Sequence, residues 1–281
     1  MATFVIVHGG FGGGWEWTPV ARLLRGLGHE VYTPTLSGMG EHSHLASGQP
    51  VGLSTHVQDI VGVLEFEDLH HVVLVGSGYG GIPVTCAADR VAHRVGLVTY
   101  LDALVPRDGE CALDLLPSAF GDFVRGSVAQ SGEDWRVPSL VDPLPPATFE
   151  SPELRAAHTA RLRDQPAMTF VEPVYLSGAI DHVPRAFLRC TMTDLLDEED
   201  VDPVEAMVGR AQDGFWHYRD VHVSHDPHLT HPAVTVRALT ELVVNVLEKL
   251  PDSSVQLPTQ AKVERQVEKE QERSDWVWSP S

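Results

Sequence analysis

Residues 72–81 read Val72-Val73-Leu74-Val75-Gly76-Ser77-Gly78-Tyr79-Gly80-Gly81. Four apolar residues rich in valine form a buried strand, and the glycines behind them force a tight turn into a helix. Two motifs fit this turn. One is the nucleophile elbow G-x-S-x-G, a strained strand-to-helix turn that lifts a serine above a sheet. Aligned on Gly76 and Gly80, it puts Gly78 where the serine would stand. The other is the dinucleotide fingerprint G-x-G-x-x-G, which Gly76, Gly78 and Gly81 satisfy. The chain on either side has to arbitrate.

Upstream, Thr3–Val7 is a short apolar strand running into His8-Gly9-Gly10-Phe11-Gly12-Gly13-Gly14-Trp15-Glu16-Trp17, a glycine-rich loop whose N–H groups can approach a ligand closely. Val20, Leu23, Leu24 and Leu27 then recur at helical spacing, with Gly28 as the stop. A strand over Val31–Pro34, a polar loop over Ser37–Gly52 without regular pattern and a helix over Thr55–Leu64 lead to the central strand. Downstream come a helix over Ile82–Ala92 and a strand over Val95–Leu101 that ends at Asp102. Strand and helix alternate, as in a parallel sheet covered on both faces.

The alternation breaks between Asp108 and Val183, where Pro117, Pro138, Pro143, Pro145, Pro146 and Pro152 accompany helical patches such as Leu154–Leu162. An insertion of this kind forms a cap over an active site. Strand Ala186–Cys190, a helix near Pro203–Ala211, strand Phe215–Val221 and an amphipathic helix from Ala233 to about Lys249 complete the pattern. The expected organisation is a core of 1–107 and 184–249, a cap insertion of 108–183 and a charged tail of 250–281, which reads as solvated.

The bulk composition narrows the function classes. With 281 residues, 43% hydrophobic and 21% charged, the chain is an ordinary globular protein. A formal charge of −19 argues against nucleic acid or anionic membrane as partner. No segment reaches the ~20 apolar residues of a membrane span, and Met1–Val7 has no basic region that would make it a signal peptide. Cys86, Cys111 and Cys190 read as buried thiols in a reducing compartment. The expectation is a cytoplasmic protein acting on a small molecule; homodimerisation is left open.

A dinucleotide site wants an acid about 20 residues past the glycines, and Asp102 stands there. Its fingerprint strand, however, normally opens the domain, whereas two strand–helix units precede this one. That reading also leaves the His8–Trp17 loop and the histidine-rich segment near residue 225 without roles.

A different resemblance uses all of these pieces. His8-Gly9-Gly10 followed by Trp15-x-Trp17 resembles the oxyanion loop of α/β-hydrolases, and more narrowly that of the hydroxynitrile lyase and plant methylesterase group. Val75-Gly76-Ser77-Gly78-Tyr79-Gly80-Gly81 resembles that group's V-G-H-S-Y-G-G. Thr99-Tyr100-Leu101-Asp102-Ala103-Leu104-Val105-Pro106 is similar to its stretch after the next strand. Ser224-His225-Asp226-Pro227 with His231-Pro232 looks like its catalytic-histidine segment. The resemblance covers about residues 2–249 and implies an α/β-hydrolase fold, a mostly parallel sheet with helices on both faces and an inserted helical cap.

In that arrangement serine attacks, histidine takes its proton, an acid orients the histidine and backbone N–H groups hold the oxyanion. The resemblance implies His225 as the histidine, Asp194 as the acid with Asp102 as second choice, and the N–H groups of Gly10 and Tyr79 as oxyanion donors. Gly78 stands where the group has serine. Ser77 is a weak substitute because neighbouring residues of an extended turn project oppositely; Tyr79 and Thr191 have no positional support. Trp15 borders the pocket mouth in this reading, and His8 supports the oxyanion loop. Without a nucleophile no acyl-enzyme forms, yet a His–Asp pair beside an oxyanion hole still moves protons next to a carbonyl, or activates a water in the space at Gly78.

Of three accounts of Gly78 the favoured one is a serine-free enzyme of lyase, cyclase or isomerase type acting on a small carbonyl or ester compound, such as a natural-product tailoring enzyme; the alternatives are an esterase whose serine has been exchanged and a ligand-binding or interaction protein. No cofactor is expected. The cluster His217, His222, His225, His228 and His231 invites a metal, but Pro227 and Pro232 break any helix that would align them, so no metal site is expected. The run Asp197, Glu198, Glu199, Asp200 and Asp202 reads as a solvated loop.

Overall fold

The computed structural model describes residues 1–46, 50–131, 136–139, 152–192, 203–212 and 216–247. The candidate acid Asp194, the acidic run of 197–202 and the tail of 250–281 lie outside these residues.

In chain order the first half comprises β1 (Thr3–Val7), α1 (Thr18–Gly26), β2 (Glu30–Tyr32), α2 (Leu53–Phe66), β3 (Val72–Ser77), α3 (Gly81–Arg90) and β4 (Val95–Leu101). An inserted segment follows, with α4 (Ala112–Leu115), α5 (Ser118–Ser131), β5 (Arg136–Val137), α6 (Pro152–Thr159), β6 (Gln165–Pro166) and α7 (Met168–Val171). The core resumes with β7 (Arg185–Cys190), α8 (Pro203–Gln212), β8 (His217–Val221), α9 (Pro227–Thr230) and α10 (Pro232–Leu242). Most spans agree with the sequence reading within about two residues. The stretch expected to be irregular, Ser37–Gly52, instead carries a 3-10 run over Gly40–Ala46, and a second 3-10 run, Gly14–Trp17, leads into α1. A π-helical turn, Val243–Leu247, follows α10 and is the end of the described residues.

Among the described residues six strands form one parallel sheet in the order β2-β1-β3-β4-β7-β8. Its central strands are apolar without alternation, as strands buried on both faces must be. Phe4, Val5, Ile6, Val73, Leu74, Val98 and Phe187 are all fully buried. One face packs against α2 and α3, through residues such as Ile60, Leu64 and Ile82 around Val5, Leu74 and Val98. The other packs against α1 and α10, with Val20, Leu24, Val236 and Leu239 around Phe4, Ile6 and Val75.

The inserted segment is tied to the core by polar anchors. The Asp89 carboxylate on α3 accepts the N–H groups of Ser177, Gly178 and Ile180 at 2.6, 3.1 and 3.0 Å. These bonds to its charged form hold Asp89 below the usual carboxylate range. Arg210 on α8 grips Glu110 with both guanidinium nitrogens, at 2.6 and 2.9 Å, a bidentate pair that fixes orientation as well as charge.

Candidate active site

Side chains carried on the C-terminal ends of parallel strands meet at one edge of the sheet, where open α/β sheets place their ligands. The loops after β1, β3, β4 and β8 bring the candidate residues to that edge.

The turn after β3 explains its own glycines. A Cβ on Gly76 would stand 2.7 Å from the carbonyl oxygen of Gly80, and one on Gly80 would stand 2.5 Å from that of His8. These two positions are glycine because the backbone of the turn folds onto itself and onto the first loop. Gly78 is different. It has φ of 52°, in the left-handed region, and a Cβ there would meet only ordinary contacts, 3.7 Å from Gly9 Cα and 3.8 Å from His225 Nε2. A side chain at position 78 would therefore point at His225.

His225 lies in the loop after β8, and its Nδ1 is 2.7 Å from Oδ2 of Asp102, just past the end of β4. The other carboxylate oxygen of Asp102 accepts Cys190 N–H at 2.9 Å, and Asp102 N–H donates to Leu188 at 2.8 Å. Asp102 itself is left-handed, φ 46°, a conformation that costs an L-residue about 1–2 kcal/mol and persists where the surroundings over-determine it. The two side chains differ in access: that of Asp102 is 5% exposed and that of His225 is 36% exposed. The carboxylate is sealed behind the ring and the ring faces the site. Asp102 is thus engaged by His225 and is not free to hold a ribose as the dinucleotide reading required. Between the two acids named from sequence, Asp102 is the one found on the histidine; Asp194 lies outside the described residues.

The loop after β1 is set by His8. Its Nε2 accepts Leu36 N–H at 3.1 Å, so the proton sits on Nδ1 and is donated to the carbonyl of Gly9 at 2.8 Å. Burial lowers the pKa of His8, consistent with this neutral tautomer. In a trans peptide the N–H points opposite to the C=O, so pinning the Gly9 carbonyl against His8 turns Gly10 N–H the other way.

Tyr79 follows Gly78, and its N–H stands in the first turn of the helical run, where amides lack intrahelical partners. Its ring turns into the core, and the hydroxyl lies 3.0 Å from His56 Nδ1. His56 Nε2 donates to the carbonyl of Ser37 at 2.8 Å, so Nδ1 accepts from the tyrosine. Burial brings His56 down to about 3 and raises the Tyr79 phenol well above its ordinary value. The Tyr79 hydroxyl is therefore held away from the reaction edge, and the Thr191 hydroxyl is occupied by Val221 O and His222. Ser77 is buried at the end of β3.

The other candidates separate. Trp15 is covered by the inserted segment, its ring 5.5 Å from that of His158 and beneath the guanidinium of Arg161 at 5.2 Å. Trp17 is fully buried and stacks on His228 at 4.4 Å. His231 turns to Thr230 and His222 to Thr191. Among the described residues no three metal-ligating side chains converge.

Sequence reasoning missed the buried pair Glu16–His158, 2.8 Å, and the fully buried Gln165, both joining the first loop to the inserted segment. His56 was missed as well. Their only signal is polarity inside otherwise apolar or loop stretches, which distance in sequence makes unreadable.

A family model described as the alpha/beta hydrolase family matches residues 4–238. The chain belongs to the alpha/beta hydrolase family. Among curated hydrolases, the carbendazim hydrolyzing esterase of Nocardioides sp. (strain SG-4G) is 39% identical over 184 residues, covering 63% of this chain and 75% of the esterase. The alpha-hydroxynitrile lyase of Arabidopsis thaliana is 28% identical over 108 residues, covering 37% of this chain and 40% of the lyase. Tomato methylketone synthase I, solved with 2-tridecanone, superposes with a TM-score of 0.72 at 19% identity over 87% of this chain and 98% of its own. An extracellular alpha/beta-hydrolase from a Paenibacillus species gives 0.73 at 21% identity, over 86% of this chain and 98% of that one. These two likenesses show the fold. No described helix of this family member is long and apolar enough to cross a membrane.

Proposed function

We propose that this alpha/beta hydrolase carries out cofactor-free acid–base chemistry on a small carbonyl or ester compound, with His225 as the base, Asp102 as its orienting acid and the N–H groups of Gly10 and Tyr79 as the oxyanion hole. The observation that carries this reading is the 2.7 Å contact of His225 Nδ1 with Asp102, which leaves Nε2 facing the open position at Gly78. Asp102 keeps the Nδ1–H tautomer, so Nε2 is the ring's acceptor atom and the one that takes a proton. Nε2 removes a proton from a substrate hydroxyl or from carbon beside a carbonyl. Negative charge develops on the substrate oxygen, held by the two N–H groups, and the imidazolium returns the proton to the leaving fragment. For an α-hydroxynitrile this breaks the carbon–carbon bond, forms the carbonyl and releases hydrogen cyanide. For an ester, a water in the space at Gly78 gives its proton to Nε2 and adds to the carbonyl, and the alkoxide leaves with that proton.

A second reading is favoured by one observation: a side chain at position 78 fits and points at Nε2. The chain is then a serine esterase inactivated at Gly78, in keeping with the esterase and methylesterase names among its relatives. Turnover of 4-nitrophenyl acetate and of mandelonitrile by the chain as it stands and by Gly78→Ser separates the two. Turnover by the parent without an acyl-enzyme burst supports serine-free chemistry. A burst confined to Gly78→Ser supports the inactivated esterase. Activity in neither, with either probe, counts against both and favours a binding role.

A further inference from the structure

Phe11 has φ of 62°. A bulky aromatic residue in the left-handed region is a conformational outlier that its surroundings must impose. Those surroundings belong to the inserted segment. Phe11 N–H donates to Gln165 Oε1 at 3.1 Å, and the carbonyl of Phe11 accepts Arg163 N–H at 2.9 Å. Both polar groups of the strained residue are thus held from more than 150 positions away.

The side chain of Gln165 is itself fixed. Its Nε2 donates to Thr169 Oγ1 at 2.9 Å, and that hydroxyl donates to the carbonyl of Pro166 at 2.6 Å. Both ends of a fully buried amide are satisfied, which assigns its oxygen to Phe11. The peptide that Gln165 holds joins Gly10 to Phe11, and its carbonyl accepts Gly12 N–H at 2.8 Å. The preceding peptide, whose N–H is that of Gly10, is pinned by His8. Gln165 Oε1 also lies 3.1 Å from where a Cβ on Gly10 would stand, so the amide is in contact with the loop at the oxyanion residue.

We propose that Gln165 is a positioning residue: from the inserted segment it holds the Gly10–Phe11 peptide in its strained conformation and so aims Gly10 N–H at the reacting oxygen. The proposal rests on the reading of Gly10 as an oxyanion donor. A loop without this bond relaxes toward ordinary φ values, and the Gly10 N–H leaves its aim while the substrate pocket keeps its walls.

Three full-length variants test it, each beside the parent and in the Gly78→Ser background: Gln165→Met, Gln165→Glu and, as a control on the same interface, Arg161→Ala. Met has the size of Gln but only a weakly accepting thioether in place of the amide. A buried protonated Glu keeps one acceptor and one donor. Amide exchange by mass spectrometry over residues 9–14 is expected to speed up at least about tenfold in Gln165→Met and to stay parental in Gln165→Glu and Arg161→Ala. Wherever 4-nitrophenyl acetate is turned over, Gln165→Met should lose about tenfold to a hundredfold in kcat with KM within about twofold, against the 10²–10³ lost when an oxyanion donor is removed, and Gln165→Glu should restore it. Parental exchange in Gln165→Met overturns the proposal. So does equal impairment in Gln165→Glu, or faster exchange with unchanged kcat. Silence of the ester assay in both backgrounds counts against acyl transfer at this site, and the exchange pattern with its rescue by Gln165→Glu then decides the proposal.

Discussion

His225 and Asp102 stand 123 positions apart in sequence and 2.7 Å apart in space, with Nδ1 of the ring against Oδ2 of the carboxylate. The contact places the ring's proton on Nδ1 and leaves Nε2 as its acceptor atom. Asp102→Asn tests this without disturbing the fold. Asparagine tolerates the left-handed region better than most residues, and its carbonyl oxygen can still accept Cys190 N–H. Its amide would then donate to Nδ1 and drive the proton to Nε2. Any turnover by the parent is expected to fall by about 10²–10⁴-fold, with circular dichroism and the melting temperature nearly parental. Retained activity would remove Asp102 from the mechanism.

The glycines of the central turn should separate in a stability series. Gly78→Ser meets only the left-handed penalty, about 1–2 kcal/mol, because its Cβ has room. Gly76→Ser and Gly80→Ser place a Cβ against backbone carbonyl oxygens at 2.7 and 2.5 Å, and neither is expected to give folded protein. Urea unfolding curves of the three variants check the order. A Gly80→Ser protein as stable as Gly78→Ser would contradict the packing described.

Glu16 and His158 form a buried contact at 2.8 Å that joins the first loop to α6, and Glu16 Oε2 also accepts Gly13 N–H at 3.2 Å. Removing one partner takes a buried, charge-assisted contact from the other, at a cost of about 1–3 kcal/mol. Glu16→Ala, His158→Ala and the double variant should show a coupling energy of about 1–3 kcal/mol in denaturant. Additive effects would mean that the two side chains stabilise the fold independently.

Three histidines make the fold sensitive to acid. His8, His56 and His228 are completely buried, and desolvation lowers the pKa of each, His56 to about 3. Because the folded pKa lies below the unfolded value of about 6.5, the unfolded chain binds more protons below that pH and stability rises with pH. The stability is fully present above about pH 6.5 and drains away as the pH falls toward the folded values. His56 alone accounts for about 2 kcal/mol between about pH 7.5 and pH 5. Urea midpoints across that range measure the slope, and His56→Gln should flatten it by about one proton. An unchanged slope in that variant would place the sensitivity elsewhere.

The order of strands and helices was legible because each element carries its own periodicity. The valine runs of β1, β3 and β4 and the apolar stripes of α1 and α10 are local signals. The glycine turn after β3 and the glycine-rich loop after β1 were legible for the same reason: tight turns demand particular residues at particular positions, whatever lies around them. The motifs also named His225 and two candidate acids for it.

Tertiary structure alone brought Asp102 onto the ring of His225. Asp102 sits at the end of β4, beside β7, and only the parallel order β3-β4-β7-β8 carries the loop after β8 back over it. Likewise only the fold distinguishes Gly78 from Gly76 and Gly80, because the atoms that crowd the latter two come from the folded turn and from the loop after β1. The strain at Phe11 and its attachment to Gln165 leave no mark in the sequence. A hydrogen bond spanning 154 positions has no period and no motif, and it exists because an inserted segment folds back onto the loop that opens the chain.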